Sequence, residues 1–318
     1  MLDNLRVCCN VVLPVMLMVA LGYGLRRGGM INENFIQCGV RLVFSVFFPC
    51  SIFGSFGTLN LEEIFDLRLL VFMVSVVLLS ALIPMVVVPR FVKNPSVAAT
   101  MAQSIFRTNV LVQGIPLLTN IYGEENIAEG AFLLPFVVLV NNVMATVNFV
   151  VLVPEQKESG GKAVLSALKK VAQNPLIISS ALGLLFSAFH WRLPSFAQNT
   201  VTQIGRIASP LALVCMGAEL RFDTIRQGLR YTIPTVFARL VLVPLAATLA
   251  GIALGFRGIA LGAVFLFTST CCATAGYVMA GSMGGDSELS AQCICLSVVL
   301  SAFTVTAGLF LLLQRGLI

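Results

Sequence analysis

Phe106-Arg107-Thr108-Asn109-Val110-Leu111-Val112-Gln113-Gly114-Ile115-Pro116 sets an arginine and two amide side chains inside one long apolar run and closes it on proline. Pro116 has no amide hydrogen to donate, which frees the carbonyl four residues back, at Val112. Gly114 loosens the same turn. Asn109 and Gln113 stand one helical turn apart, so they share a face that can meet the freed groups or a ligand. Arg107 is the costliest member. On insertion scales a charge at mid-helix costs about 2.5–3.5 kcal/mol, so it needs a polar cavity or a partner.

The rest of the chain says what solvent surrounds this run. Of 318 residues 58% are hydrophobic and only 11% charged, with a mean hydropathy of +0.96. Soluble domains carry about a quarter charged residues. Lipid is the alternative solvent, and a helix needs about 20 mostly apolar residues to cross it. Ten such spans are read, at 7–25, 35–56, 68–89, 97–121, 127–153, 174–190, 196–220, 229–255, 258–281 and 289–313. The runs are continuous and too long for barrel strands. Arg6 leads into an apolar run with no convincing cleavage site, so no removable signal is expected.

The main polar stretch, Pro154–Lys170, divides the spans into two sets of five. The sets resemble each other. At an offset of 161, Pro14 matches Pro175, Gly22 matches Gly183, Phe35 matches Phe196 and Pro49 matches Pro210. At 162, Gly114 matches Gly276 and Gly123 matches Gly285. Proline is 13 of 318 residues, so two proline pairs at one offset point to a true repeat. Five spans is an odd number, so the second repeat must enter from the opposite side, an arrangement common in secondary transporters. The expected fold is all-α and polytopic. It has about ten transmembrane helices in two inverted five-helix repeats, with crossover helices 4 and 9 broken. The expected domains are residues 1–153 and 172–318, joined by the loop 154–171.

The basic residues orient it. Arg26, Arg27, Arg90, Lys93, Lys157, Lys162, Lys169, Lys170, Arg221, Arg226 and Arg230 fall on one side, eleven in all, against Arg6, Arg68, Arg192, Arg257 and Arg315 on the other. That puts the central loop in the cytoplasm and both termini outside a plasma or inner membrane. The net charge of +6 forms no patch, so nucleic acid is not an expected partner. Membrane lipid is.

Candidate chemistry is sparse. Nine cysteines and one histidine form no CxxC pair or ligand set, so no metal or other cofactor is expected and most thiols read as packing. Neither HExxH, GxSxG nor a pair of central carboxylates occurs, which argues against an enzyme. Glu129 and Glu219 are the only carboxylates inside spans, both near an end, so Arg107 has no evident acid partner. Its planar fork suits a carboxylate ligand. Arg41 and Arg206 reach toward an interface, and Arg239 is left without an assignment. Span 9 supplies the mirror element, Thr268-Ser269-Thr270-Cys271-Cys272-Ala273-Thr274-Ala275-Gly276-Tyr277, in which small residues permit close backbone approach. Asn141, Asn142 and Asn148 add amides to span 5, and bundle hydrogen bonds and a site role both remain open for them.

Taken together, these segments resemble the auxin efflux carrier family, which includes the plant PIN-formed carriers and bacterial malonate-type transporters. The resemblance rests on Leu21-Gly22-Tyr23 with Arg26-Arg27, on Arg107-Thr108-Asn109 through Gly114-Ile115-Pro116-Leu117, and on Tyr122-Gly123-Glu124. It continues at Asn174-Pro175-Leu176, at Pro210-Leu211-Ala212 with Gly217-Ala218, and at Gly284-Gly285 with Glu288-Leu289. It implies a scaffold of spans 1, 2, 6 and 7, a moving unit of spans 3–5 and 8–10, elevator-type alternating access, and a homodimer. It also implies substrate at the crossover of spans 4 and 9. Where the family usually has proline in the second crossover, this chain has Cys271 and Cys272, and Gly276 is a candidate to replace the proline's effect.

The expected function is secondary transport of a small organic anion, a carboxylate of auxin or malonate type. The candidate binding residues are Arg107, Asn109, Gln113, Gly114, Pro116, Asn141, Asn142, Thr270, Cys271, Cys272 and Gly276. Two alternatives stay open: a sodium-coupled organic-anion symporter of the bile-acid type, and a membrane sensor that binds without transporting.

Overall fold

The computed structural model describes residues 2–56, 66–123, 130, 132–153, 175–220 and 229–318. Every regular element within them is helical, and the one extended pairing is an isolated antiparallel bridge between Thr108 and Cys272. Among the described residues six helices are long and apolar enough to cross a membrane: Arg6–Arg27, Glu33–Ser51, Leu67–Phe91, Ser195–Glu219, Leu229–Ala253 and Ser287–Gln314. Shorter apolar helices cover Val110–Tyr122, Phe136–Leu152 and Gly258–Ser269. Leu17, Val71, Leu249 and Phe303 point outward from the long helices and are more than half exposed. Large apolar side chains turned outward along whole helices are stable in lipid, and the protein is an integral membrane protein. The expected central loop, 154–171, and Glu129 lie outside the described residues.

In chain order the helices are α1 (Leu2–Arg27), α2 (Glu33–Leu42), α3 (Phe48–Phe56), α4 (Leu67–Phe91), α5 (Pro95–Phe106), α6 (Ile115–Tyr122), α7 (Leu134–Leu152) and α8 (Pro175–Ala188). They continue as α9 (Ser195–Arg206), α10 (Ala208–Glu219), α11 (Leu229–Phe237), α12 (Val243–Ala253), α13 (Gly258–Ser269), α14 (Ala275–Ser282) and α15 (Ser287–Gln314). Starts are set by short polar caps. Asp66 accepts from the amides of Arg68 and Leu69, Asn94 from those of Ser96 and Val97, and Asp286 from that of Leu289. Each cap satisfies donors that the first helical turn leaves over.

Three π turns occur among the described residues, at Val43–Phe47, Val110–Gly114 and Ala238–Leu242. Each ends two residues before a proline: Pro49, Pro116 and Pro244. The cause is shared. A proline cannot donate to the carbonyl four residues back, and its ring crowds that carbonyl, so the preceding turn widens. This corrects the location of the break expected in span 4. Pro116 opens the turn before it into a π turn and itself sits in the first turn of α6. The helix is broken earlier, at Arg107–Asn109, where Arg107 is extended (φ −77°, ψ 102°) and Asn109 is also non-helical (φ −92°, ψ 54°).

Packing is tightest where α1 meets α10. A Cβ on Gly22 would collide with the Val214 carbonyl, and one on Gly217 with the Val19 carbonyl. Small residues let the two backbones touch, which is how membrane helices gain contact when lipid already solvates their apolar faces. Elsewhere α3 packs on α8, α4 on α5, and α12 on α13, while α5 and α15 both receive α11.

Candidate functional site

Two helices stop in mid-run and their breaks cross. The first stops at Phe106 and the second, α13, at Ser269. Between the breaks Asn109 N donates to Cys271 O at 3.1 Å, and Ala273 N donates to Arg107 O at 3.1 Å. Unwound backbone inside a bilayer must find partners within the protein. Here each break supplies the other's partners.

Side chains close the remaining positions. Gln113 accepts from Cys271 N (2.7 Å) through Oε1 and donates through Nε2 to Ser301 Oγ (2.9 Å). Cys272 N donates to Ser297 Oγ (3.0 Å), and the Cys272 thiol to Ser104 O (3.3 Å). Asn109 Nδ2 donates to Met216 Sδ (3.2 Å) on α10 and lies 3.7 Å from Cys271 Sγ. Asn141 donates to Thr108 Oγ1 (3.2 Å), leaving its own buried Oδ1 without a donor. Asn148 donates to Ala99 O, so Asn141 and Asn148 share the face of α7 turned to α5 and the break that follows it, as their spacing indicates.

Arg107 is buried and donates to Asn142 Oδ1 (2.7 Å) and Met279 Sδ (2.8 Å). Among the described residues no carboxylate lies within ion-pair distance of it. A guanidinium held only by neutral acceptors keeps its full charge and spare donors. The structure therefore gathers Arg107, Asn109, Gln113, Gly114, Asn141, Asn142, Thr270, Cys271 and Cys272 around the crossing. Pro116 stands just beyond it in α6.

Gly276 has a different part from the one expected. The second break spans Thr270–Thr274, and Gly276 already belongs to the first turn of α14. Its bare Cα admits the Gln103 amide, whose Nε2 donates to Gly276 O at 3.0 Å. A methyl group there would meet that nitrogen at 2.7 Å. Gln103 was not singled out in the sequence because its partner lies 173 residues away.

A cavity of about 550 Å³ reaches this region. Tyr23, Arg26 and Arg27 at the end of α1, Glu33 and Gln37 of α2, and Glu219 at the end of α10 form one wall. Thr274, Tyr277, Ile294 and Cys295 form the other. Arg26 pairs with Glu33 at 2.9 Å, and Arg27 Nε donates to Tyr23 Oη. A narrower crevice between Val112 and Met216 shares Glu219 and Thr274 with the cavity. Thr274 is thus the point at which the cavity touches a break. Arg107 is not in its wall.

Residues 7–308 match the membrane transport protein family. The chain belongs to that family. The match agrees with the auxin-efflux-carrier resemblance read from the sequence. Similar proteins include an "Uncharacterized transporter" of Methanothermobacter thermautotrophicus, 26% identical over 91% of this chain and 93% of its own. "Uncharacterized transporter YfdV" of Escherichia coli K12 is 24% identical over 96% of each chain. A Rhizobium meliloti protein named "Putative malonate transporter" is 27% identical over 50% of each chain.

Proposed function

We propose that the protein is a secondary transporter that carries a small organic anion, a carboxylate of malonate or auxin type, by alternating access, and is not an enzyme. The observation that carries this reading is Arg107. It is a buried cation beside two crossed helix breaks, with amides around it and no carboxylate in reach among the described residues. A carboxylate supplies the missing negative charge and accepts two parallel hydrogen bonds from the guanidinium fork. Asn109, Asn141 and Asn142 stand close enough to the break to orient it. The malonate relative supports the acid class.

In this reading ten crossings form two inverted repeats, residues 1–153 and 172–318, joined by a cytoplasmic loop at 154–171 with both termini outside. The helix pairing supports it: α1 on α10 has a counterpart in α8 on α3, and α4 on α5 has one in α12 on α13. Spans 1, 2, 6 and 7 act as a scaffold, paired with a second copy in a homodimer. Spans 3–5 and 8–10 move against it as an elevator. The cavity between Arg26 and Thr274 is then the cytoplasmic entrance.

Thr274 tests the entrance. In a background stripped of native thiols, Thr274→Cys should label with a charged thiol reagent from the cytoplasmic side. Saturating malonate should slow the labelling. Unchanged labelling in malonate would take Thr274 off the substrate path.

The substrate class is tested by thermal shift of the purified protein against mono- and dicarboxylates, with and without sodium. A ligand at 100 times its Kd stabilises the folded state by about 2.7 kcal/mol. A rise in Tm with a carboxylate, absent with its neutral ester, supports the proposal. A rise only with sodium present moves it to a sodium-coupled symporter, and no shift with any acid contradicts it.

A further inference from the structure

Arg239 is wholly buried on a helix that contributes neither break. Its Nε donates to Thr270 O at 3.1 Å, its Nη1 to Ile105 O at 3.3 Å, and its Nη2 reaches Thr270 Oγ1 at 3.5 Å. Ile105 lies in the last turn of α5, and Thr270 directly follows the end of α13. One side chain therefore holds the carboxyl ends of both broken helices.

The charges balance in a particular way. A helix C-terminus carries roughly half a negative charge from its unpaired carbonyls. Two such ends meeting at low dielectric repel, and together they amount to about one negative charge. Among the described residues no carboxylate lies within ion-pair distance of Arg239. Its single positive charge matches the two helix ends it touches. The Arg107 side chain, by contrast, donates to Asn142 and Met279, both neutral, and to no carbonyl of those ends. The two buried arginines thus do different jobs.

Shape matters as well as charge. A planar guanidinium presents several donors in fixed directions, so it can serve two carbonyls from different helices at once, which a lysine ammonium on its flexible stem does less well. The π turn Ala238–Leu242, widened ahead of Pro244, carries Arg239 at its second position.

We infer that Arg239 is a positioning residue for substrate binding: by tying the ends of α5 and α13 together it fixes the crossing that presents Arg107 to an anion. The binding half of this inference rests on the transport reading above, whereas the clamp itself does not.

Hydrogen exchange separates the two. In Arg239→Met the amides of Asn109 and Ala273, which bridge the breaks, should exchange about tenfold faster or more, while amides of α1 and α10 keep their wild-type rates. Malonate affinity of the same variant should fall about tenfold, and Arg239→Lys should stand between it and wild type in both readouts. Unchanged exchange at the crossing overturns the clamp. A rise spread over all helices makes Arg239 an ordinary stabilising residue and also overturns it. A local rise with wild-type malonate affinity removes the link to binding. If the wild type itself binds no carboxylate while the local rise is seen, the clamp stands and the transport reading fails. Should Arg239→Met not fold, Arg239→Lys decides alone: wild-type exchange at the crossing in that variant counts against the clamp.

Discussion

Arg107→Ala should cost carboxylate affinity about ten- to a hundred-fold while leaving the protein folded. A hydrogen bond to a charged group contributes about 1.5–3 kcal/mol, which is that range in Kd. The present partners of Arg107 are an amide oxygen and a thioether, so truncation strands no opposite charge. Asn142 loses one donor and little else. Arg107→Lys keeps the charge without the fork, so its affinity should fall less. Ligand-induced thermal shift measures both variants, and the size-exclusion profile reports folding. A well-folded Arg107→Ala with wild-type affinity would make Arg107 a structural charge.

The second large effect is expected at the α1–α10 contact. Gly22→Val or Gly217→Val drives a branched side chain into the backbone carbonyl of Val214 or Val19. Overpacking a site that can adjust costs about 1–3 kcal/mol. A backbone carbonyl in a packed helix cannot turn aside as a side chain does, so these variants should exceed that range and fail to give a monodisperse peak. Gly24→Val, on the same helix, meets nothing within 4 Å and serves as the control. Monodisperse, thermally stable Gly217→Val would mean that α1 and α10 do not pack this closely.

Much of this architecture was legible because its causes are local. Apolar run length marked the helices, and Asn32, Asp66, Asn94 and Asp286 cap their starts with their own side chains. The prolines marked real irregularities too, but of a milder kind: each of three produced a π turn two residues upstream. The break itself, at Arg107–Asn109, depends on Cys271 and Ala273, more than 160 residues away, and no local residue type announces it.

The same distance in sequence separated the legible part of the site from the rest. Arg107, Asn109 and Gln113 stood out as polar groups in an apolar run. Arg239 stood out equally, yet its part depends on two carbonyls, at Ile105 and Thr270, which come from two other helices. Gln103 is hidden the same way, since its contact to Gly276 exists only once α5 and α14 are side by side. Cys271 and Cys272 stand where the resemblance led to the expectation of a proline, and the structure shows both sulfurs buried, lying against Asn109 and Ser104. Their thiols are held inside the crossing and do not face the cavity described above.

Counterflow in proteoliposomes tests the transport claim most directly. Vesicles containing the purified protein and loaded with unlabelled malonate should take up labelled malonate from outside. Vesicles without protein, or with folded Arg107→Ala at the same malonate concentration, should take up far less. The contradicting result is a wild-type protein that shows a clear malonate thermal shift but no protein-dependent uptake. Such a protein would bind the acid without moving it, as a sensor does.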